Sequence, residues 1–136
     1  MKGFGMARTS FIITMSMGLV MTSGAAVAQS MLPSFGDDVA LLFCSQVRHN
    51  NASEFRNKLR EYRLRIRDIY PHIRCNGETM IQFAQRNGSF EIGRFIAYSV
   101  LIDDLHKLGD ATWAQNLPQQ NRIRQVIDER LEHLSQ

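Results

Sequence analysis

Along the chain, apolar residues return every three or four positions in several separate stretches, and nowhere do they alternate as a half-buried strand requires. In the first stretch, Asp37 or Asp38 can cap a helix whose apolar positions are Val39, Leu42, Phe43 and Val47, with Cys44 beside them. The polar run His49-Asn50-Asn51 interrupts it. Asn51, with Glu54 three residues on, has the spacing of a capping box for a second helix carrying Phe55, Leu59, Tyr62, Ile66 and Ile69. Pro71 must end that helix, and the Arg-rich interval before it can already be extended, since a residue preceding proline disfavours the helical region. Asn76-Gly77 then predicts a tight turn, and Thr79 caps a short helix with Met80, Ile81, Phe83 and Ala84. Asn87-Gly88 turns the chain again, and Ser89 caps a longer helix carrying Phe90, Ile92, Phe95, Ile96 and Leu101. Ala84 and Gly93 are small enough to let these two helices approach closely. After Gly109 a looser segment with Trp113 and Pro118 leads to a last helix bearing Ile123, Val126, Ile127, Arg130, Leu131 and Leu134 on one stripe. The pattern predicts an all-α fold, a small bundle of four to five helices.

The first residues obey a different grammar. Lys2 and Arg8 precede an apolar run from Phe11, and the run ends in Ala26-Val27-Ala28, the order of a secretory signal with its cleavage site. Thr14, Ser16, Gly18, Thr22, Ser23 and Gly24 dilute the run below the roughly 20 apolar residues of a membrane span. The expected organisation is a signal peptide over 1–28, a flexible leader over 29–36 broken by Pro33 and Gly36, and a single helical domain over 37–136. The expected location is the periplasm or the cell exterior. Loss of Lys2 and Arg8 lowers the net charge from +3 to +1, so the basic balance of the whole chain says little about partners.

Two cysteines remain, Cys44 and Cys75, and an exported chain matures where thiols are oxidised. A Cys44–Cys75 disulfide is the preferred reading, stabilising a domain of this size by roughly 3 to 4 kcal/mol. Cys44, His49, His72 and Cys75 also supply the residue types of a zinc site. Positions 44 and 49 fall on separate faces of one helix, however, and no metal or other cofactor is expected.

The stretch "NGETMIQFAQRNGSFEIGRFI" resembles an ankyrin repeat through Asn76, Gly77, Thr79, Ala84, Asn87, Gly88, Glu91 and Ile92, which implies a central two-helix hairpin. Met80, Ile81 and Gln82 stand where that repeat has Pro and Leu-His. A fainter copy at "LLFCSQVRHNNASEFRNKL" sets Phe43-Cys44 against Phe83-Ala84 and Glu54-Phe55 against Glu91-Ile92, at an offset of about 40 rather than the ankyrin period of about 33. Over about residues 37–98, Cys44, Cys75-Asn76-Gly77 and Phe83-Ala84 resemble a family of small exported bacterial proteins called domain of unknown function 3718. That resemblance implies export, a small helical domain and a paired cysteine, with no activity to carry over.

Chemistry is sparse. There is no nucleophile elbow, phosphate loop or H-E-x-x-H pattern, so a non-catalytic protein is expected. Asp103, Asp104 and His106 lie close together, but Asp103 has Lys107 one helical turn away as an ordinary ion-pair partner. The glycosylation-type triplets at Asn51 and Asn87 coincide with cap and turn positions. In a continuous helix Arg56, Arg60, Arg63 and Arg67 line one stripe, a possible dock for an anionic ligand or membrane surface. Nucleic acid is not expected, given the export signal and near-neutral charge. The partner expected first is a protein of the cell envelope.

Overall fold

The computed structural model describes residues 35–134, so the signal segment, its cleavage point and the leader up to residue 34 lie outside the described residues. The first helix, α1 (Phe35–Arg48), already includes Phe35 and Gly36, which the sequence pattern assigns to the leader. Behind it come α2 (Ala52–Glu61), α3 (Ile66–Ile69) and a 3-10 turn (Tyr70–His72). Next are α4 (Met80–Arg86), α5 (Phe90–Ser99), α6 (Ile102–Lys107), α7 (Asp110–Ala114) and α8 (Arg122–Glu132). The fold is an all-α bundle tied by one disulfide, with more and shorter helices among the described residues than the four or five expected.

The extra elements come from breaks the periodicity does not show. The expected helix from Asn51 to Ile69 is two helices, α2 and α3. Arg63 takes a left-handed conformation (φ 54°), its amide bonds to Arg60 O, and the Leu64 amide reaches back to Leu59 O at 2.8 Å. This is a Schellman stop, with arginine where glycine is usual. It turns Tyr62 outward, 43% exposed, instead of leaving it on the apolar stripe. Likewise α5 stops at Ser99: Val100 becomes extended (ψ 161°) and is buried, while Leu101 is 49% exposed. The segment after Gly109 is helical (α7), and Leu134 stands exposed beyond the end of α8.

The turns predicted from sequence are in place. Asn76 and Gly77 both have positive φ (52° and 78°), and Cys75 and Glu78 exchange backbone hydrogen bonds of 2.9 and 3.0 Å across them. That is the two-residue hairpin turn for which Asn-Gly is the commonest sequence. Thr79 Oγ1 accepts from the Gln82 amide at 3.2 Å, and Asn51 Oδ1 accepts from the Glu54 amide at 3.1 Å, so both residues cap as expected. Ser89 does not cap α5 with its side chain. Its hydroxyl donates to Arg48 O at 3.4 Å, and the Ile92 amide is capped instead by Asn50 Oδ1 at 3.2 Å, across from the end of α1.

These joints set the packing. The helical hairpin α1/α2 lies beside the hairpin α4/α5, with α1 against α4 and α2 against α5. Phe43, Phe55 and Phe95 form an edge-to-face chain through the layer, with ring centroids 5.0 and 6.1 Å apart. Helix α8 covers the other side of α5 through Ile123, Val126 and Ile127. Its Arg130 donates to Ala97 O at 2.6 Å, near the C-terminal end of α5. Gly93 permits this crossing. A Cβ there would stand 2.5 Å from Ile123 Cδ1 and 3.1 Å from Ala84 Cβ, so the closest approach is to α8 as well as to α4.

Candidate functional site

The Cys44–Cys75 bridge is closed, with Cα atoms 5.6 Å apart, inside the usual range for a disulfide. It joins the middle of α1 to the strand-like turn in front of α4. A closed disulfide belongs to a non-reducing environment. The zinc alternative loses its thiolates to this bond. His49 donates from Nδ1 to Ser45 O at 2.8 Å, and His72 lines an apolar groove with Val39, Leu64, Ile69 and Ile73. Among the described residues no group of three or more His, Cys, Asp or Glu side chains could hold a metal ion.

Over the bridge lies an open cleft of about 220 Å³. One face of α1 forms a wall, Ala40, Leu41, Cys44, Ser45 and Arg48 recurring at helical spacing. The turn residues Arg74, Cys75 and Asn76 form the opposite wall, and Phe83 of α4 the floor. The Arg48 guanidinium lies over the Phe83 ring, 5.7 Å from its centroid. Arg74 donates from Nη1 to Ile73 O at 3.0 Å and Pro71 O at 3.4 Å. Neither arginine has a carboxylate within ion-pair distance among the described residues, whereas Arg65, Arg86 and Arg124 each do. Both were missed in reading the sequence, yet a signal was there. Arg48 is four residues after Cys44 on the same helical face, and Arg74 adjoins Cys75, so closing the bridge brings the two cations to one place.

The anticipated arginine stripe does not form as a helical face, because the chain breaks between α2 and α3. Arg56 is half-buried, with its guanidinium 5.5 Å from the Phe95 centroid. Arg60 donates to Asn57 Oδ1, Arg63 occupies the left-handed turn, and Arg67 sits on α3. Arg60, Arg63 and Arg67 are exposed and surround the equally exposed Tyr62 in sequence. The Asp103–Lys107 pair is absent among the described ion pairs.

A second polar cluster is sealed in the core. Asp110, fully buried at the start of α7, accepts from Tyr70 Oη at 2.5 Å, Thr79 Oγ1 at 2.7 Å and Gln82 Nε2 at 3.0 Å. Burial raises the Asp110 carboxyl above the usual aspartate range, against the pull of its three donors and of Arg74. Burial, with the charge and hydrogen bond of Asp110, drives the Tyr70 phenol upward, so it remains a protonated donor. Each Asp110 oxygen is occupied by a neighbour, so the cluster ties the 3-10 turn, the cap of α4 and the start of α7 together.

No helix among the described residues is long and apolar enough to cross a membrane. No curated protein and no solved structure matches the chain, and the likeness to an ankyrin repeat finds no counterpart in the comparisons. Residues 43–107, which hold both cysteines, both cleft arginines and all three donors of the Asp110 network, match the family model described as protein of unknown function (DUF3718), and this region is similar to that family.

Proposed function

We propose that this is an exported, non-catalytic binding module, released into the periplasm or the cell exterior by cleavage near Ala28 and contacting a protein of the cell envelope. The observation that carries the reading is the closed Cys44–Cys75 bridge with an open, cation-walled cleft over it. The Asp110 and Tyr70 pair, with Thr79, is buried and internally bonded, out of reach of a substrate. Expression of the full tagged chain in its native host tests both halves. N-terminal sequencing should find a mature chain beginning at Gln29, with no free thiols. Photo-crosslinkers at the exposed positions Leu41, Tyr62, Tyr98 and Leu101 should give protein adducts in the intact envelope. A chain retaining Met1 with reduced cysteines would end the export reading, and absence of adducts at all four positions would end the binding reading.

A second reading follows from the α2–α3 turn, where Tyr62 is exposed and the exposed Arg60, Arg63 and Arg67 flank it in sequence. An aromatic ring flanked by cations suits an anionic membrane surface. Salt-sensitive co-sedimentation with phosphatidylglycerol vesicles, abolished by Arg60→Glu with Arg63→Glu, would favour it.

A further inference from the structure

We infer that the cleft over the disulfide takes a short acidic segment of a partner polypeptide, one carboxylate held between Arg48 and Arg74 and a neighbouring apolar side chain laid against Leu41 and Ala40. This rests on the binding-module reading and assigns the place and the chemistry of the contact.

Four observations carry it. Leu41, 71% exposed on the cleft wall, is the most exposed large apolar residue described, and its helical neighbour Ala40 faces the same space. Neither Arg48 nor Arg74 is in ion-pair contact with a carboxylate among the described residues, unlike Lys58, Arg65, Arg86 and Arg124, and Arg74 feels the buried Asp110 at longer range. Both guanidiniums are already oriented, Arg48 by the Phe83 ring and Arg74 by two backbone carbonyls. Orientation before binding lowers the entropy lost on contact, and the unused N–H groups match the two oxygens of a carboxylate. Finally, about 220 Å³ falls short of the roughly 300 to 1,000 Å³ that encloses a whole small-molecule ligand, so the cleft suits one or two side chains of a longer chain. The disulfide holds both walls at fixed separation, because each wall carries one of its cysteines.

The test uses the exported, oxidised protein labelled with ¹⁵N and titrated with the peptide acetyl-Gly-Leu-Glu-Leu-Asp-Gly-amide. Saturable shifts are expected at Ala40, Leu41, Ser45 and Asn76. Replacing the peptide's Glu and Asp by Gln and Asn should weaken binding about tenfold or more, the scale of one charge-assisted contact. The Arg48→Gln, Arg74→Gln protein should lose as much, while Arg60→Gln with Arg63→Gln, away from the cleft, should change affinity less than about twofold. Equal affinity for the neutral peptide, no saturable shift, shifts centred elsewhere, or an equal loss in the Arg60/Arg63 control would each overturn the assignment. Should the cleft variant fail to fold, the acidic and neutral peptides on the wild-type protein still decide. The crosslinking experiment separates this inference from the broader one. Protein adducts at Tyr62, Tyr98 or Leu101 but not at Leu41 would remove the cleft and leave the module, whereas a lipid or second-copy adduct at Leu41 would remove this occupant.

Discussion

Asp110 shows how one residue can matter without touching a ligand. Its carboxylate is buried with three donors aimed at it, yet desolvation outweighs them and holds the group above its ordinary value. A carboxyl whose native value is raised favours folding most when protonated. Its contribution is complete below the unfolded value near 4 and is lost as the pH rises through the raised native value. Asp110→Asn has no such titration. The stability of wild type relative to Asp110→Asn, from urea unfolding at several pH values, should therefore fall as the pH rises from about 4 through the raised native value. A difference that grows over the same range would mean that the donors, and not burial, control the site. None of this was legible in the sequence. Asp110 follows Gly109 in a segment with weak periodicity, and its partners lie 28 to 40 residues earlier.

At the scale of elements, the joint at Asn50 serves two helices at once. Its left-handed conformation (φ 51°) closes α1, with the Asn50 and Asn51 amides bonding to Val47 O and Gln46 O at 3.1 Å, and its side chain caps α5 through the Ile92 amide. Asparagine suits the position because it tolerates φ > 0 and carries an acceptor on a short arm. Asn50→Gly should keep the turn and lose only the cap, about 0.5 to 1 kcal/mol, while Asn50→Ala should lose both, about 2 to 3 kcal/mol. Chemical denaturation of the two variants checks the order, and equal losses would show that the side-chain bond contributes nothing. The sequence pattern located this break correctly but credited Ser89 with the cap, because local spacing cannot reveal an acceptor from another hairpin. The same blindness joined α2 to α3. Apolar periodicity continues through Tyr62 and Ile66, and only Leu64 turning back onto Leu59 O shows that the chain stops there.

For the whole molecule, the disulfide links the first hairpin to the second across a separation of 31 residues. Closing such a loop restricts the unfolded chain by about 3 to 4 kcal/mol, a large part of the net stability of a small domain. Reduction of the purified protein should lower its unfolding free energy by about that amount, and unchanged denaturation curves would show that packing alone holds the hairpins together. The sequence by itself determined the helical class, the turns at Asn76-Gly77 and Asn87-Gly88, the caps at Asn51 and Thr79, and the pairing of the two cysteines. Each of these follows from residues within a few positions of one another or from there being only two thiols to join. Tertiary structure decided the rest: where the long helices break, which residue caps α5, the burial of Asp110, and the placing of Arg48 and Arg74 along one cleft. Those depend on which surfaces the bundle covers, and a side chain's environment is set by neighbours that the linear order does not name.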